Sequence, residues 1–327
     1  MELENPHAFP LPFGGRMAEA TGDHAQRGRS LRSSPRTGKP STRRRQVVDT
    51  LCKQEMDDMS DTVNTEFILD MQRKLYRWSV ANPDKRFADL FNIVCNRATL
   101  LHAWERLARN RGSNTPGTDR VTRKAVEERP DGVAGFLEEI RKELRQGTYR
   151  PQPVRQRLIP KPGKPGKFRP LGIPTLKDRL VQMALKLVLE PIFEADFYPI
   201  SYGFRPGRST HDALARVRPR SNPTSAGPSR TRYVSEGGYQ GLLRRHRSSR
   251  ADGSRATPQD RKVLRLVLAF LKADIMIEGS LRHPLTGTPQ GGIVSPLLAN
   301  IYLTAIDERY KRWVPNPRSC VRQVQQI

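Results

Sequence analysis

Cysteine is scarce in this sequence, with three residues among 327, at Cys52, Cys95 and Cys320. Their wide separation argues against a disulfide framework, and it matches no zinc-binding pattern of closely spaced cysteine and histidine residues. A chain with so few thiols suits a reducing compartment, so we expect a cytoplasmic protein.

Long apolar runs are also missing. No segment stays apolar for long enough to cross a bilayer as a helix, and the N-terminus lacks the uninterrupted apolar stretch of a secretory signal. The sequence therefore predicts no membrane partner.

Acidic residues are few relative to basic ones: 33 Asp and Glu stand against 58 Lys and Arg, which gives a formal net charge of +25. This excess favours a polyanionic partner and predicts binding that weakens with salt. Residues 1–55 are rich in Gly, Pro, Ser and Arg, and we predict that they form a disordered basic tail.

Apolar periodicity then organises the rest of the chain. It predicts helices at 65–81, at 87–109 with a break near Asn96, at 135–145, at 176–193 and at 262–272, with a strand at 154–159. Pro191 predicts a kink or stop, and Ser295 followed by Pro296 predicts a helix start. Four acidic residues are expected to serve turns, caps or the surface: Asp119, Asp178, Asp260 and Asp307.

Two stretches have the chemistry of phosphate and nucleic-acid binding. Lys164 and Lys167, beside Gly163, Gly166 and the fixed guanidinium of Arg169, would suit a polyphosphate. Composition alone favours a solvated basic loop, and the spacing is not that of a P-loop. An aromatic with guanidiniums close to it in the chain, in the Ser201–Ser209 string SYGFRPGRS, suits base stacking and phosphate contact, with a turn carrying solvated arginines as the alternative.

Together with that string, Leu158–Pro174 (LIPKPGKPGKFRPLGIP) and Gly287–Leu303 (GTPQGGIVSPLLANIYL) resemble the reverse transcriptases of bacterial group II introns, the reverse transcriptase/maturase family. The resemblance implies an α+β, helix-rich fold with the fingers and a partial palm of a right-hand polymerase. Residues 56–232 would be the N-terminal block and fingers, and 233–327 an incomplete palm.

The same resemblance implies site residues and partners. Lys161, Arg169 and Gln290 would contact the incoming nucleotide, and Arg179, Phe204, Arg205 and Arg208 would contact nucleic acid. The implied partners are a dNTP, intron RNA and a DNA/RNA template–primer, and the implied cofactor is Mg²⁺.

One expected string is missing. After Tyr233–Gly237 the family carries its first catalytic aspartate in a string like Gly-Asp-Ile-Lys-Gly-Cys-Phe-Asp, but residues 238–250 contain no carboxylate. One allowed set of codons for Gln240–Ser248, read one base later, encodes Lys-Gly-Cys-Phe-Asp-Asp-Ile-Asp. We therefore hypothesise a frameshift within 238–259 and expect that stretch to be disordered or poorly packed.

The second catalytic strand, Tyr-Ala-Asp-Asp, and the thumb would lie beyond Ile327. We therefore predict no catalytic residue and no metal ligand in this sequence. The favoured interpretation is a catalytically defective fragment of an RNA-directed DNA polymerase and maturase. The alternative is a non-catalytic splicing cofactor that binds intron RNA.

Overall fold

The computed structural model describes residues 64–221, 257–277, 280–282 and 291–313. In chain order the elements are α1 (64–81), β1 (Arg86–Phe87), α2 (Phe91–Val94), α3 (Arg97–Ala108), α4 (Arg123–Glu127), α5 (Gly132–Gln146), β2 (Val154–Pro160), β3 (Phe168–Ile173), α6 (Leu176–Glu194), α7 (Thr210–Ser221), β4 (Thr257–Pro258), α8 (Arg261–Leu271), β5 (Ile275–Ile277), β6 (Ser280–Arg282) and α9 (Ser295–Trp313).

Helix α6 lies at the centre of the described fold. It begins where the hydroxyl of Thr175 accepts a hydrogen bond from the amide of Asp178, at 3.1 Å. Buried residues, most of them apolar, occur on nearly every side of this helix, and α3 packs against it. The helix does not stop at Pro191 but continues for three more residues, to Glu194, so the stop expected at that proline is wrong.

Local signals explain the helix ends. The side chain of Asn96 accepts from the amide of Ala98, so the predicted break near Asn96 is confirmed as the cap that separates α2 from α3. Gly147, in the left-handed conformation at φ 71°, ends α5. Between these helices the rings of Trp104 and Phe136 meet edge to face, with centroids 5.9 Å apart.

A four-stranded sheet stands beside this helical core, in the order β3-β2-β5-β6. Strands β2 and β3 form an antiparallel hairpin, β5 and β6 form another, and β2 pairs in parallel with β5 through Val154 and Ile275. The sheet therefore ties residues on both sides of 222–256. The sequence predicted β2, whereas β1, β4, β5 and α7 were not predicted.

The segment 238–259 is described only at residues 257–259. Thr257 and Pro258 pair in parallel with Arg86 and Phe87, and the amide of Gln259 donates to the Phe87 carbonyl at 2.8 Å. The expectation that the stretch is disordered or poorly packed is therefore wrong for Pro258, which is paired and buried. The rest of that stretch and the predicted basic tail lie outside the described residues.

Cys95 is fully buried after α2, and burial raises the pKa of its thiol from 9.0 to about 11. At pH 8 the thiolate fraction should therefore be about 100-fold lower than in an unperturbed thiol. We expect iodoacetamide to alkylate Cys95 in the folded chain at least that much more slowly than in urea, as followed by peptide mass mapping. Similar rates in both states would contradict this placement.

Among the described helices, none combines the length and the apolarity that crossing a membrane would require.

Candidate nucleotide and nucleic-acid site

The basic loop noted in the sequence is the end of the β2–β3 hairpin, residues 154–173, which we call the basic hairpin. Ile159 pairs with Arg169 and Pro160 with Phe168, and the Lys161 amide donates to the Lys167 carbonyl at 2.9 Å. Gly163 and Gly166, both with φ near +70°, allow the chain to reverse at the tip. The whole tip, 161–169, is exposed.

The basic hairpin has charge of only one sign. Six basic residues and no acidic residue lie between Val154 and Ile173. Three arginines share one face, because paired residues of antiparallel strands point to the same side: Arg155, Arg157 and Arg169. Three lysines belong to the loop at the tip, and none of the six makes an ion pair with another described residue. Lys161 and Arg169 thus stand together at an exposed, uncompensated positive end.

The other face of the basic hairpin is apolar and open to solvent. Leu158, which pairs with Pro170, is 57% exposed, and Phe168 is 54% exposed. The hairpin therefore offers a charged side and an apolar side. The sequence signal for the charged side is the alternation of Arg155 and Arg157 along β2, and neither residue was predicted as a site residue.

Gly291 and Gly292 form a turn before α9, which we call the glycine turn, and it lies against the base of the basic hairpin. Gly291 has φ +127°, and a Cβ there would stand 2.0 Å from the carbonyl oxygen of Gly172. Only glycine permits so close a backbone approach. The side-chain oxygen of Gln182 in α6 accepts from the amides of Ile293 (2.7 Å) and Val294 (3.5 Å). Gln290, one residue before this turn, lies outside the described residues.

Arg205 does not have the environment predicted for a template contact. It is 7% exposed, and its guanidinium donates to both carboxylate oxygens of Glu194 at 2.6–3.0 Å. It also donates to the carbonyls of Tyr198 and Ser201, at 2.7 and 2.8 Å. The prediction of a nucleic-acid contact is therefore corrected: Arg205 holds the loop to the end of α6.

Phe204 and Arg208 are presented by the loop that Arg205 holds. Phe204 is 56% exposed and has φ 53°, unusual for a residue with a side chain. The guanidinium of Arg208 lies 5.5 Å from the Tyr202 ring centroid and donates to the Pro199 carbonyl at 3.0 Å. The exposed ring of Phe204 remains compatible with the predicted stacking role.

Arg179 is also occupied with the protein's own backbone. Its guanidinium donates to the carbonyls of Gly112 and Thr115, at 2.8 and 2.7 Å, and burial lowers its pKa. Arg179 therefore holds the turn-rich loop 110–119 against α6. Within that loop Asp119 accepts from the amide of Val121 at 3.1 Å, the turn role that was expected.

Three acidic residues expected at caps or on the surface are buried. Asp178 is 1% exposed and accepts from the Tyr149 hydroxyl and from the Gln152 amide, so a surface role is wrong. Burial raises its pKa, against those hydrogen bonds. Asp260 does cap α8, but it is 7% exposed, and Asp307 is buried inside α9.

A Mg²⁺ site would require several oxygen-bearing side chains to converge on one point. In the ranges that the structure describes, no three His, Cys, Asp or Glu side chains stand close enough together to hold a metal ion. Magnesium needs several oxygen ligands in near-octahedral geometry. The described residues therefore do not provide a ligand set for Mg²⁺.

Comparison with known proteins identifies the family. The family model described as "Reverse transcriptase (RNA-dependent DNA polymerase)" matches residues 159–322. Protein YkfC of Escherichia coli is 38% identical over 74% of this chain and 62% of its own length. The group II intron-encoded protein LtrA of Lactococcus lactis is 36% identical over 70% of this chain and 36% of its own.

A solved structure, the partial Cas6-RT-Cas1--Cas2 complex, aligns with 68% of this chain and 35% of its own at 20% identity and a TM-score of 0.45. This chain spans about 62% of the length of YkfC and 36% of the length of LtrA. The matched residues 159–322 include most of the basic hairpin, the Arg205 loop and the glycine turn. The chain belongs to the reverse transcriptase family, as a member of the group II intron reverse transcriptases and maturases.

Proposed function

We propose that this chain binds RNA and the triphosphate of a nucleotide through the basic hairpin, as a member of the RNA-directed DNA polymerase and maturase lineage that has lost polymerase chemistry. One observation carries the binding proposal: the basic hairpin has six basic residues, no acidic residue and no internal ion pair, and four of the six lie at its exposed end, 161–169. Mobile ammonium groups beside a rigid guanidinium match the oxygens of a polyphosphate.

The two faces of the basic hairpin suggest how a nucleotide would be oriented. The arginines and the lysines at the tip would face phosphate. A phosphate would not have to displace a carboxylate from them, because the basic hairpin contains no acidic residue. The stacking of bases on the exposed Phe204, with Arg208 four residues later in the same loop, would extend the contact to a single strand. Intron RNA is the partner that the name of the relative LtrA suggests.

The loss of chemistry is proposed from sequence. Residues 238–250 offer no carboxylate where the family carries its first catalytic aspartate. The reverse transcriptase family generally uses a divalent metal such as Mg²⁺, which requires such carboxylates. In a primer-extension assay with Mg²⁺ we expect no templated incorporation above background. Any templated product would overturn this part of the proposal. A gene in which no shifted frame across 238–259 encodes the aspartate string would contradict the frameshift hypothesis instead.

The binding proposal is tested with a triple variant, Lys161→Gln, Lys164→Gln and Lys167→Gln. We expect the dissociation constant for a labelled RNA to rise about 10-fold or more in 100 mM salt, and the slope of log affinity against log salt to flatten. Filter binding over a salt series measures both quantities.

The matched control removes three exposed lysines elsewhere: Lys74→Gln, Lys124→Gln and Lys142→Gln. It has the same net charge, so a loss of affinity in both triple variants would mean a diffuse charge effect and would contradict the hairpin site. Comparing intron RNA with random RNA of equal length separates general binding from the splicing-cofactor alternative, which requires a clear preference for the intron.

A further inference from the structure

Helix α6 buries three polar side chains, and two of them, Asp178 and Gln182, lie in its first half. Asp178 is 1% exposed and Gln182 is 4% exposed. They are four residues apart, so they lie on the same face, one turn above the other. Burying an acid and an amide costs free energy unless both are hydrogen-bonded, and their partners therefore indicate what they do.

Each of the two side chains binds the backbone of a segment that leads to the candidate site. Asp178 accepts from the Gln152 amide at 3.0 Å, two residues before β2 begins the basic hairpin. Gln182 accepts from the Ile293 and Val294 amides, directly after the glycine turn. Both side chains line one small cavity together with Gln152, Val154 and Gly292.

The glycine turn that Gln182 anchors also contacts the far strand of the basic hairpin, β3. Gly291 approaches the carbonyl of Gly172 so closely that no Cβ would fit. A side chain that fixes the glycine turn therefore also fixes β3, on which Arg169 stands. One helical turn of α6 thus sets the spacing between the charged strands and the turn.

From this arrangement we propose that Gln182 is a positioning residue for the nucleotide site, with Asp178 as its second anchor. The inference rests on the proposed nucleotide binding at the basic hairpin. Gln182 acts only through backbone amides and would not contact the nucleotide. A displacement of the turn would misplace Arg169 relative to the phosphates, because binding groups must be held within a fraction of an ångström.

The test replaces Gln182 with methionine, which keeps the volume and removes the acceptor. We expect Q182M to weaken binding of a fluorescent dATP about 10-fold while RNA affinity changes less than about twofold. The variant Q182E keeps an acceptor oxygen for both amides and should recover most of the lost affinity. Equal loss of dATP and RNA affinity, or no loss of either, would overturn the proposal.

The matched control is Gln72, also buried, whose side-chain nitrogen donates to the Leu187 carbonyl of α6 at 2.9 Å. Q72M removes a hydrogen bond that a buried glutamine of α1 donates to α6, and this bond does not involve the glycine turn. It should lower the unfolding midpoint about as much as Q182M and leave dATP affinity unchanged. If Q72M weakens dATP binding equally, general destabilisation explains the effect and the positioning role is rejected.

A second measurement separates failure of this inference from failure of the proposed function. Hydrogen exchange should speed up at Ile293 and Val294 in Q182M and, through the Gly291 contact, at 169–172, with no such change in Q72M. If the unmodified chain binds no dATP, the proposed nucleotide function fails, and exchange alone decides the positioning role. Unchanged exchange at 169–172 would then reject it.

Discussion

Replacing Arg205 with methionine lowers the free energy of unfolding by about 3–5 kcal/mol, as expected for removing one partner of a buried ion pair. The side chains of Arg205 and Glu194 are only 4% and 8% exposed. Burial raises the pKa of Glu194, and hydrogen bonds from Arg205 oppose that rise. Without the guanidinium, a buried carboxylate and the carbonyls of Tyr198 and Ser201 lose their donors.

Urea unfolding followed by circular dichroism measures the loss. The control is the exposed pair formed by Asp70 and Lys74, whose side chains are more than half exposed. The variant K74M should change stability by no more than about 1 kcal/mol. A double variant, E194L with R205M, should recover part of the loss because it leaves no buried charge. A loss below about 1 kcal/mol in R205M would contradict the buried pair.

Replacing Asp260 with alanine should lower the free energy of unfolding by about 2–4 kcal/mol. One carboxylate oxygen caps α8 by accepting from the amides of Lys262 and Val263, at 2.9 and 3.3 Å. The other accepts from the amide of Phe91 at the start of α2, at 2.7 Å. Alanine removes the cap and leaves a buried N–H without an acceptor.

Asp131 provides a matched control for Asp260. It occupies the N-cap position of α5 but makes no side-chain hydrogen bond to that helix. D131A should change stability by no more than about 0.5 kcal/mol. In thermal unfolding at equal protein concentration, equal midpoints for D260A and the unmodified chain would contradict the double role of Asp260.

Elements with strong local signals were predictable. The helices near 65–81, 135–145, 176–193 and 262–272 follow an apolar period of 3.6 residues, and observed bounds differ by at most three residues. Strands β1, β4 and β5 have two or three residues each, too short for periodicity to show. They exist because a distant segment supplies their hydrogen-bond partners.

The site divides in the same way. Lys161 and Arg169 were expected to contact the nucleotide because of the family resemblance, and that role stays a prediction. Both are exposed on the hairpin, because a tight basic loop leaves few places for its charges except solvent. Arg205 was expected to contact nucleic acid because of the same resemblance and the chemistry of its guanidinium, yet it is buried. Nothing in its own string indicates Glu194, eleven residues earlier, as the acceptor for its guanidinium.

The sequence by itself determined the charge, the main helices, the basic hairpin and the family, since these depend on composition, short-range periodicity and contiguous strings. Only the tertiary structure decided which charged side chains face solvent and which are buried as internal ties. The physical reason is that burial and hydrogen-bond partners are set by segments far apart in the chain, as Gln182 and the amide of Ile293, 111 residues later, illustrate.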